Sequence, residues 1–246
     1  PQRRDFEEML LILEFNFVCC LCYEKADDHW LEFVTPFHEW HEYLRFVRAT
    51  ETATLSSKEP IERYKDTDFA FLEEMSELLL KAKKKPLAIE KSPIVDKLCL
   101  VKLAEYKNDR LHLLEPGDAW LDLSFENRSL HIYRHPHNRI LSLNVGERYV
   151  REAEKSIKRI LHGEWVYFDD FLKGVLIPLN ENSVVMLKKM GKHWKYTLPT
   201  YGEEEKAILK ATIFEWLYEA GMVMIGTCRG RDCFAVTHFG RFFFDD

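Results

Sequence analysis

The amino-acid sequence predicts a mainly α-helical α+β fold in which small β-hairpin wings follow amphipathic helices. Apolar residues recur at helical spacing in several stretches, and three of these lead into two short apolar runs around a polar turn. The chain has 246 residues, 46% hydrophobic and 13% aromatic, enough to bury a core in one large domain or a few small ones. No run of about 18 uncharged apolar residues occurs, so no membrane span is predicted.

Residues 1–48 are predicted to form a first, partial unit. Its predicted elements are a helix at residues 7–18 and the strands of a hairpin at 21–23 and 30–34. Thr35 followed by Pro36 has the order of an N-cap and a first helical residue, so the next helix is expected to begin there. Residues 49–66 are rich in Ser, Thr and Glu and are predicted to be a linker.

Residues 67–134 are predicted to form a second unit, with Ser92 capping a helix that opens at Pro93. Its predicted elements are helices at 68–84, 92–99, 116–121 and 124–133 and strands at 100–105 and 111–114. Residues 135–246 are predicted to form a third unit, with a cap at Asp169 or before it, a C′ glycine at Gly221 and a cap at Thr237. Its predicted elements are helices at 147–161, 165–175 and 202–220 and strands at 223–226 and 233–236.

The three units share one order of elements: a helix, a short apolar strand, a polar turn, a second strand and a capped turn with a bulky apolar residue. A two-stranded hairpin alone is marginally stable in water, and here each can cover the apolar face of the preceding helix. The units do not recur at a fixed period, so they are predicted to be related domains rather than a solenoid. This order is typical of tandem winged-helix (helix-turn-helix) domains.

Two motifs carry a resemblance to a known family. The strand at 111–114 followed by Glu-Pro-Gly-x-x-Trp-Leu, and the closing Val-Thr-x-x-Gly-Arg at 236–241, resemble winged-helix arrays of bacterial helicases of the XPB/Ssl2 type and arrays beside SNF2-like ATPases. The first unit departs from this pattern, because His38 or Glu39 stands where the glycine is expected. The resemblance implies an accessory role without ATP hydrolysis, and no Walker glycine loop is present. The chain starts at Pro1, and we expect a piece of a longer polypeptide whose motor lies outside it.

The net charge of −6 means that DNA contact must come from local basic patches. The candidate nucleic-acid residues are Lys83, Lys84, Lys85, Lys188, Lys189, Lys192, Trp194, Lys195, Arg229 and Arg231. Residues 188–196 interleave lysines with aromatic rings, which suits backbone contact and base stacking. The alternative for all of these residues is a solvated helix end or an ordinary loop.

Groups that could carry chemistry have simpler explanations. The spacing of Cys19, Cys20 and Cys22 does not suit a zinc knuckle, and no HExxH motif accompanies His38, His41 and Glu42. Cys228 and Cys233 are expected to be free thiols. The carboxylates at 169–170 and 203–205 are expected to cap helices. Neither a nucleophile elbow nor a converging acid–base pair is recognisable. We therefore expect a non-enzymatic protein without metal or cofactor, in the cytoplasm.

The expected function is a winged-helix interaction module that docks to another protein, or to the rest of its parent chain, or positions DNA. The alternative is a stand-alone DNA-binding transcriptional or chromosome-associated regulator. A regulator would need a recognition helix with exposed Arg, Asn or Gln. The helix at residues 94–100 offers only Asp96 and Lys97, and the helix before the third hairpin offers mostly Leu, Tyr and Glu.

Overall fold

The structure is a computed structural model that describes residues 3–136, 151, 154, 156–160, 164–175 and 185–245. These residues form helices and small antiparallel sheets, as the α+β prediction requires. The chain divides into two compact units, an N-terminal unit of Pro1–Glu51 with Val185–Leu198 and a main unit of Thr52–Val184 with Pro199–Asp246. None of the described helices is both long and apolar enough to cross a membrane.

The helices and strands, in chain order, are α1 (Arg3–Phe15), β1 (Cys19–Ala26), β2 (His29–Pro36), α2 (His38–Thr50), β3 (Ile61–Arg63), α3 (Ala70–Lys84), β4 (Leu87–Ala88), α4 (Pro93–Leu100), β5 (Ala104–Lys107), β6 (Arg110–Leu113), α5 (Glu115–Leu121), α6 (Phe125–Tyr133), a 3₁₀ turn (Ile157–Ile160), β7 (Val166–Tyr167), α7 (Phe168–Leu172), β8 (Met186–Met190), β9 (His193–Thr197), α8 (Glu203–Ala211), a π-helical turn (Thr212–Leu217), β10 (Val223–Cys228), β11 (Arg231–Val236) and α9 (His238–Asp245).

In the N-terminal unit, β1 and β2 form the predicted hairpin, with longer strands than the sequence indicates. The predicted start of the next helix at Thr35 and Pro36 is wrong, because both residues pair with β1: Thr35 lies opposite Cys20 and Pro36 opposite Cys19. Helix α2 begins at His38 instead. It contacts the β8–β9 hairpin, where the rings of Phe46 and Tyr196 lie 5.0 Å apart.

The β8–β9 hairpin changes the predicted organisation. Residues 185–198 belong to the N-terminal unit, whereas the sequence analysis places them in the third unit at 135–246. The lysine-rich segment at 188–196 therefore forms two strands and a turn, and not the solvated helix end or ordinary loop that is the alternative interpretation of its sequence. A two-residue turn joins them, and Gly191 takes its first central position with φ +67°. A glycine at this position suits the turns that favour tight hairpins.

The described residues of the main unit form two sheets, with strand orders β4-β6-β5 and β3-β10-β11-β7. The predicted linker at 49–66 is wrong in part, because it contains strand β3, in which Glu62 pairs with Thr227 of β10. The close approach depends on Gly226, since a Cβ there would meet the backbone carbonyl of Glu62 at 2.6 Å. The segment is therefore partly an edge strand.

The two largest apolar clusters among the described residues lie in the main unit. The first is built on α3, α4 and α6 and contains the fully buried Leu72, Met75, Leu79, Val95, Leu98, Leu111 and Ile132. The second is built on the π-helical turn, β10 and β11 and contains the fully buried Val166, Phe171, Leu209, Ile213, Leu217, Val223, Phe234 and Val236. Each sheet thus covers the apolar face of the helices before it, as the sequence predicts.

Local capping signals agree with the structure in several places and differ in others. Ser92 and Ser124 accept hydrogen bonds from the first turns of α4 and α6, and the hydroxyl of Thr237 accepts from the amide of Gly240 at 2.9 Å. The cap predicted at Asp169 or before it lies before it: the N-cap residue of α7 is Tyr167, at the end of β7, and its side chain makes no capping hydrogen bond there. The predicted helix at 147–161 lies mostly outside the described residues, and its described end is the 3₁₀ turn.

The predicted repeat is present in the main-chain hydrogen bonds. A residue with positive φ ends the helix before each hairpin: Phe17 (56°), Lys102 (57°) and Gly221 (69°). The amide of the following residue donates to the carbonyl five residues earlier, with lengths of 2.9, 3.0 and 2.9 Å for Val18 to Leu13, Leu103 to Leu98 and Met222 to Leu217. This is the Schellman bond that closes a helix C-terminus.

A second bond completes the pattern at the far end of each hairpin. The carbonyls of Val18, Leu103 and Met222 accept from the amides of Phe37, Leu114 and Thr237, each at 3.1 Å. Three residues further on, Gly117 and Gly240 let the next helix lie against those carbonyls, because a Cβ at either glycine would overlap the carbonyl oxygen. Trp40 stands at this place in the N-terminal unit, rather than His38 or Glu39 as the sequence analysis proposed.

Candidate nucleic-acid interface

The lysine hairpin, defined as β8, β9 and the turn between them, holds most of the basic and aromatic residues predicted to bind nucleic acid. Its register places Lys188 opposite Lys195 and Lys189 opposite Trp194. Side chains of directly opposed residues lie on the same face of a hairpin, about 5 Å apart at Cβ. One face therefore carries two lysines side by side, and the other pairs a lysine with an indole ring.

The four lysines of the hairpin have no carboxylate partner in the described part of the chain. No ion pair within 4.0 Å involves Lys188, Lys189, Lys192 or Lys195 there. Like charges directly opposite each other destabilise a strand pair by about 0.2–1 kcal/mol. The repulsion between Lys188 and Lys195 is therefore locally unfavourable, and a bound polyanion would reduce it.

Aromatic rings accompany these charges. The side chain of Trp194 is 52% exposed and that of Tyr196 is 39% exposed. Helix α2 lies beside them and adds a second ring contact, between His38 and His193 at 4.3 Å. A cavity of about 260 Å³ lies between α2 and the hairpin, beside these ring contacts. Trp194 and Tyr196 line part of it.

The other predicted basic residues lie elsewhere and are mostly neutralised. Lys83 forms an ion pair with Asp118, and this hydrogen-bonded partner raises the pKa of the Lys83 ammonium. Lys84 and Lys85 are exposed at the C-terminal end of α3, where a positive charge complements the helix dipole. Their position therefore has a structural explanation.

The arginines of the third hairpin, β10–β11, are also paired. Arg229 contacts the carboxylate of Glu59 at 2.8 Å. Arg231 lies over the ring of Tyr167 at 3.8 Å, and its guanidinium is 3.7 Å from Asp169. The structure thus divides the predicted residues among three places, and only the lysine hairpin combines several unpaired cations with exposed rings.

The helices before the second and third hairpins do not present base-reading side chains. In α4 the exposed positions include Pro93 and Asp96, whereas Lys97 is fully buried and contacts Glu219 at 2.5 Å. In α8 the exposed positions include Glu203 and Glu204. Direct readout in the major groove relies on Arg, Lys, Asn and Gln side chains that reach the base edges. Neither helix offers such a set.

Comparisons with protein families, curated proteins and solved structures find no match.

The remaining candidate groups show no site for a metal ion. Among the described residues no three His, Cys, Asp or Glu side chains converge as metal ligands. All six cysteines are free thiols, and Cys228 and Cys233 are buried. The ring of His38 contacts His193, which is distant in sequence, and His41 is exposed. Local spacing could not have indicated the histidine pair, because it depends on the packing of α2 against the lysine hairpin.

The sequence analysis also missed a buried carboxyl group. Glu154 accepts a hydrogen bond from the hydroxyl of Tyr133 at 2.8 Å, and its other oxygen is buried without a hydrogen-bond partner in the described residues. Burial raises the pKa of Glu154 to about 7 and also raises the pKa of Tyr133. Neither residue lines a described cavity, so the pair bears on stability rather than on ligand binding.

Proposed function

We propose that this chain is a non-enzymatic accessory module of tandem winged helices that positions nucleic acid, with the lysine hairpin as its contact surface. The observation that carries the proposal is the set of four lysines without a carboxylate partner among the described residues, two of them directly opposed across the strands. Lysines in this arrangement can contact successive phosphates and release the counterions condensed on them. The rest of the chain then acts as a scaffold.

Strand order supports the winged-helix part of the proposal. A winged helix places a short first strand beside the last strand of its hairpin, with helices before and after that first strand. The sheet β4-β6-β5, with α3 before β4 and α4 after it, follows this arrangement. The strands β7, β11 and β10 have the same relation, with α7 and α8 between β7 and β10.

Two features favour backbone contact by the hairpin over sequence readout by helices. The exposed residues of α4 and α8 are largely acidic or apolar, and the arginines of the third hairpin already contact carboxylates. These features weigh against the alternative of a stand-alone regulator. A role beside a separate motor, in which nucleic acid is held without reading its sequence, agrees better with them.

Fluorescence anisotropy of a labelled 20-base-pair DNA duplex, titrated over a salt series, tests the proposal. We expect K188Q/K189Q/K192Q/K195Q to weaken binding and to lower the slope of log K against log salt by about 3 to 4 if each lysine contacts one phosphate. The matched control K81Q/K83Q/R229Q/R231Q removes four charges that are paired with carboxylates. Equal losses in both variants, or no salt-dependent binding of the unsubstituted chain, would contradict the proposal.

Docking to another protein is a second candidate function, supported by a different observation. Most of the large apolar side chains that are exposed in the described residues belong to the N-terminal unit, among them Phe15 (84%) and Trp30 (68%). Exposed apolar groups in such number are typical of interaction surfaces. Poly-L-glutamate titrated in place of DNA separates the two functions, because tighter binding of the acidic peptide at equal charge favours a protein partner.

A further inference from the structure

The cavity between α2 and the lysine hairpin has the size and lining of a site for one planar ring. It measures about 260 Å³, below the range of about 300–1,000 Å³ usual for drug-sized ligands. The side chains of Trp194 and Tyr196 supply aromatic wall, and Lys192 lies at the same cavity. A flat group could stack on the indole while a phosphate attached to it meets the lysine.

The polar lining of this cavity contains hydrogen-bonding groups without partners. The Nε2 atom of His38 is buried and has no hydrogen-bond partner among the described residues. Glu39 also lines the cavity, and no described cation contacts it. A buried ring nitrogen without a partner is unfavourable by about 1–3 kcal/mol unless a ligand or water satisfies it. These groups therefore point to a ligand that has hydrogen-bonding atoms at its edge.

We infer that the cavity receives one unstacked base of a single-stranded nucleic acid, an inference that rests on the proposed function. Bases in a duplex are stacked and paired, so only a single strand or an extruded base can enter. Sequence-tolerant proteins bind single strands with basic grooves and aromatic rings on which bases stack. Lys189 lies directly opposite Trp194 in the hairpin register, which places a cation beside the stacking ring.

The carboxylates of the lining further restrict the base. Glu39 and Glu42 both line the cavity, and one oxygen of Glu42 accepts from Arg45 at 3.1 Å. A carboxylate accepts hydrogen bonds from an exocyclic amino group, as in glutamate contacts with the N4 amino group of cytosine. Thymine has no amino group. The cavity therefore favours a base that carries an amino group over thymine, and cytosine is the amino-bearing base with a single ring, as thymine has.

The test compares labelled 12-nucleotide oligo(dC), oligo(dT) and a duplex of equal length, titrated with the full chain. We expect oligo(dC) to bind more tightly than either of the others. We also expect W194A to weaken oligo(dC) binding about tenfold or more through lost stacking. W194F retains a ring and should lose less. The matched control W30A removes another exposed tryptophan of the same unit and should leave the affinity unchanged.

The variant E39Q sharpens the test of base selection. We expect E39Q to reduce the preference for oligo(dC) over oligo(dT), because the neutral amide is a weaker acceptor for the amino group. Equal binding of the duplex and the single strands, or equal losses in W194A and W30A, would overturn the inference. If the quadruple lysine variant still abolished binding in that case, the proposed function would stand. No binding of any oligonucleotide at low salt would overturn both.

Discussion

The β10–β11 hairpin and the lysine hairpin both carry exposed basic residues near a tight turn, and their surroundings differ. In β10–β11 the strands lie inside a four-stranded sheet, flanked by β3 and β7. The segments on either side bring carboxylates, so that Arg229 meets Glu59 and Arg231 lies near Asp169. In the lysine hairpin the two strands form a sheet by themselves, and its lysines have no such neighbours in the described chain. Both hairpins have basic residues, but only the strands and segments beside β10–β11 supply carboxylates that neutralise them in the described chain. The lysine hairpin therefore keeps its net positive charge.

The same contrast extends to the two units. In the main unit even the fully buried Lys97 has a carboxylate partner, Glu219. The N-terminal unit buries few side chains, with Cys19 and Glu42 the buried residues in its described part. Two-stranded hairpins are marginal on their own, so this unit depends more on further contacts than the main unit does. A ligand-binding surface is expected in the N-terminal unit, because most of the exposed large apolar side chains of the described residues belong to it.

The largest expected effect comes from breaking the buried ion pair of the main unit. Lys97→Met removes the cation that contacts the buried Glu219, and we expect the free energy of unfolding to fall by about 3–5 kcal/mol. Urea denaturation followed by circular dichroism measures this. The control Lys91→Met breaks an exposed pair with Asp96, for which the expected change is about 0–1 kcal/mol.

The double variant K97M/E219L should recover much of the loss, because neither charge remains buried. Similar stabilities for K97M and K91M would show that the main unit does not depend on this pairing. The comparison between the paired Lys97 of the main unit and the unpaired lysines of the hairpin would then lose its basis.

A smaller effect is expected at Glu154, where a proton rather than a cation neutralises a buried carboxylate. Burial holds the pKa of Glu154 at about 7, above its ordinary value of 4.5. Because the folded state binds the proton more tightly, this contribution to stability is fully present below pH 4.5 and is lost as the pH rises through 7. Between pH 5 and pH 8 we expect a loss of about 3 kcal/mol from this group.

Urea denaturation of the unsubstituted chain and of Glu154→Gln at both pH values measures this contribution. The amide cannot ionise, so E154Q should lose about 3 kcal/mol less stability than the unsubstituted chain over that range. Other titrating groups contribute equally to both proteins and cancel in the difference. Parallel pH dependences would mean that Glu154 is not neutralised by a proton in the folded chain.

Local signals in the sequence predict the repeated units well. The helix end at Gly221 and the caps at Ser92 and Thr237 each depend on neighbours a few residues away, and the structure contains all of them. Such features follow from local backbone geometry and hydrogen bonding. The three hairpins follow for the same reason.

Features that depend on distant partners could not be read in this way. The strand at Ile61–Arg63 has three residues and exists because β10 lies beside it. Thr35 and Pro36 look like a helix start, yet pairing with Cys19 and Cys20 extends β2 through them. The lysines of the hairpin were predicted as a candidate patch, but their isolation from carboxylates, and the pairing of Arg229 with Glu59, depend on contacts across the fold.

The smallest expected effect lies in the lysine hairpin itself. Lys188→Gln removes the like-charge contact with Lys195, and we expect it to stabilise the hairpin by about 0.2–1 kcal/mol at low salt. Amide hydrogen exchange of β8 and β9 measures this change, because local opening reports on the hairpin separately from the main unit. Lys189→Gln is the matched control, since Lys189 lies opposite Trp194 and has no opposed cation.

At about 1 M salt the Debye length falls to about 3 Å, so the difference between the two variants should shrink. Slower exchange in K188Q that persists at high salt would point to packing rather than charge as its cause, and the lysine pair would no longer indicate an anionic ligand.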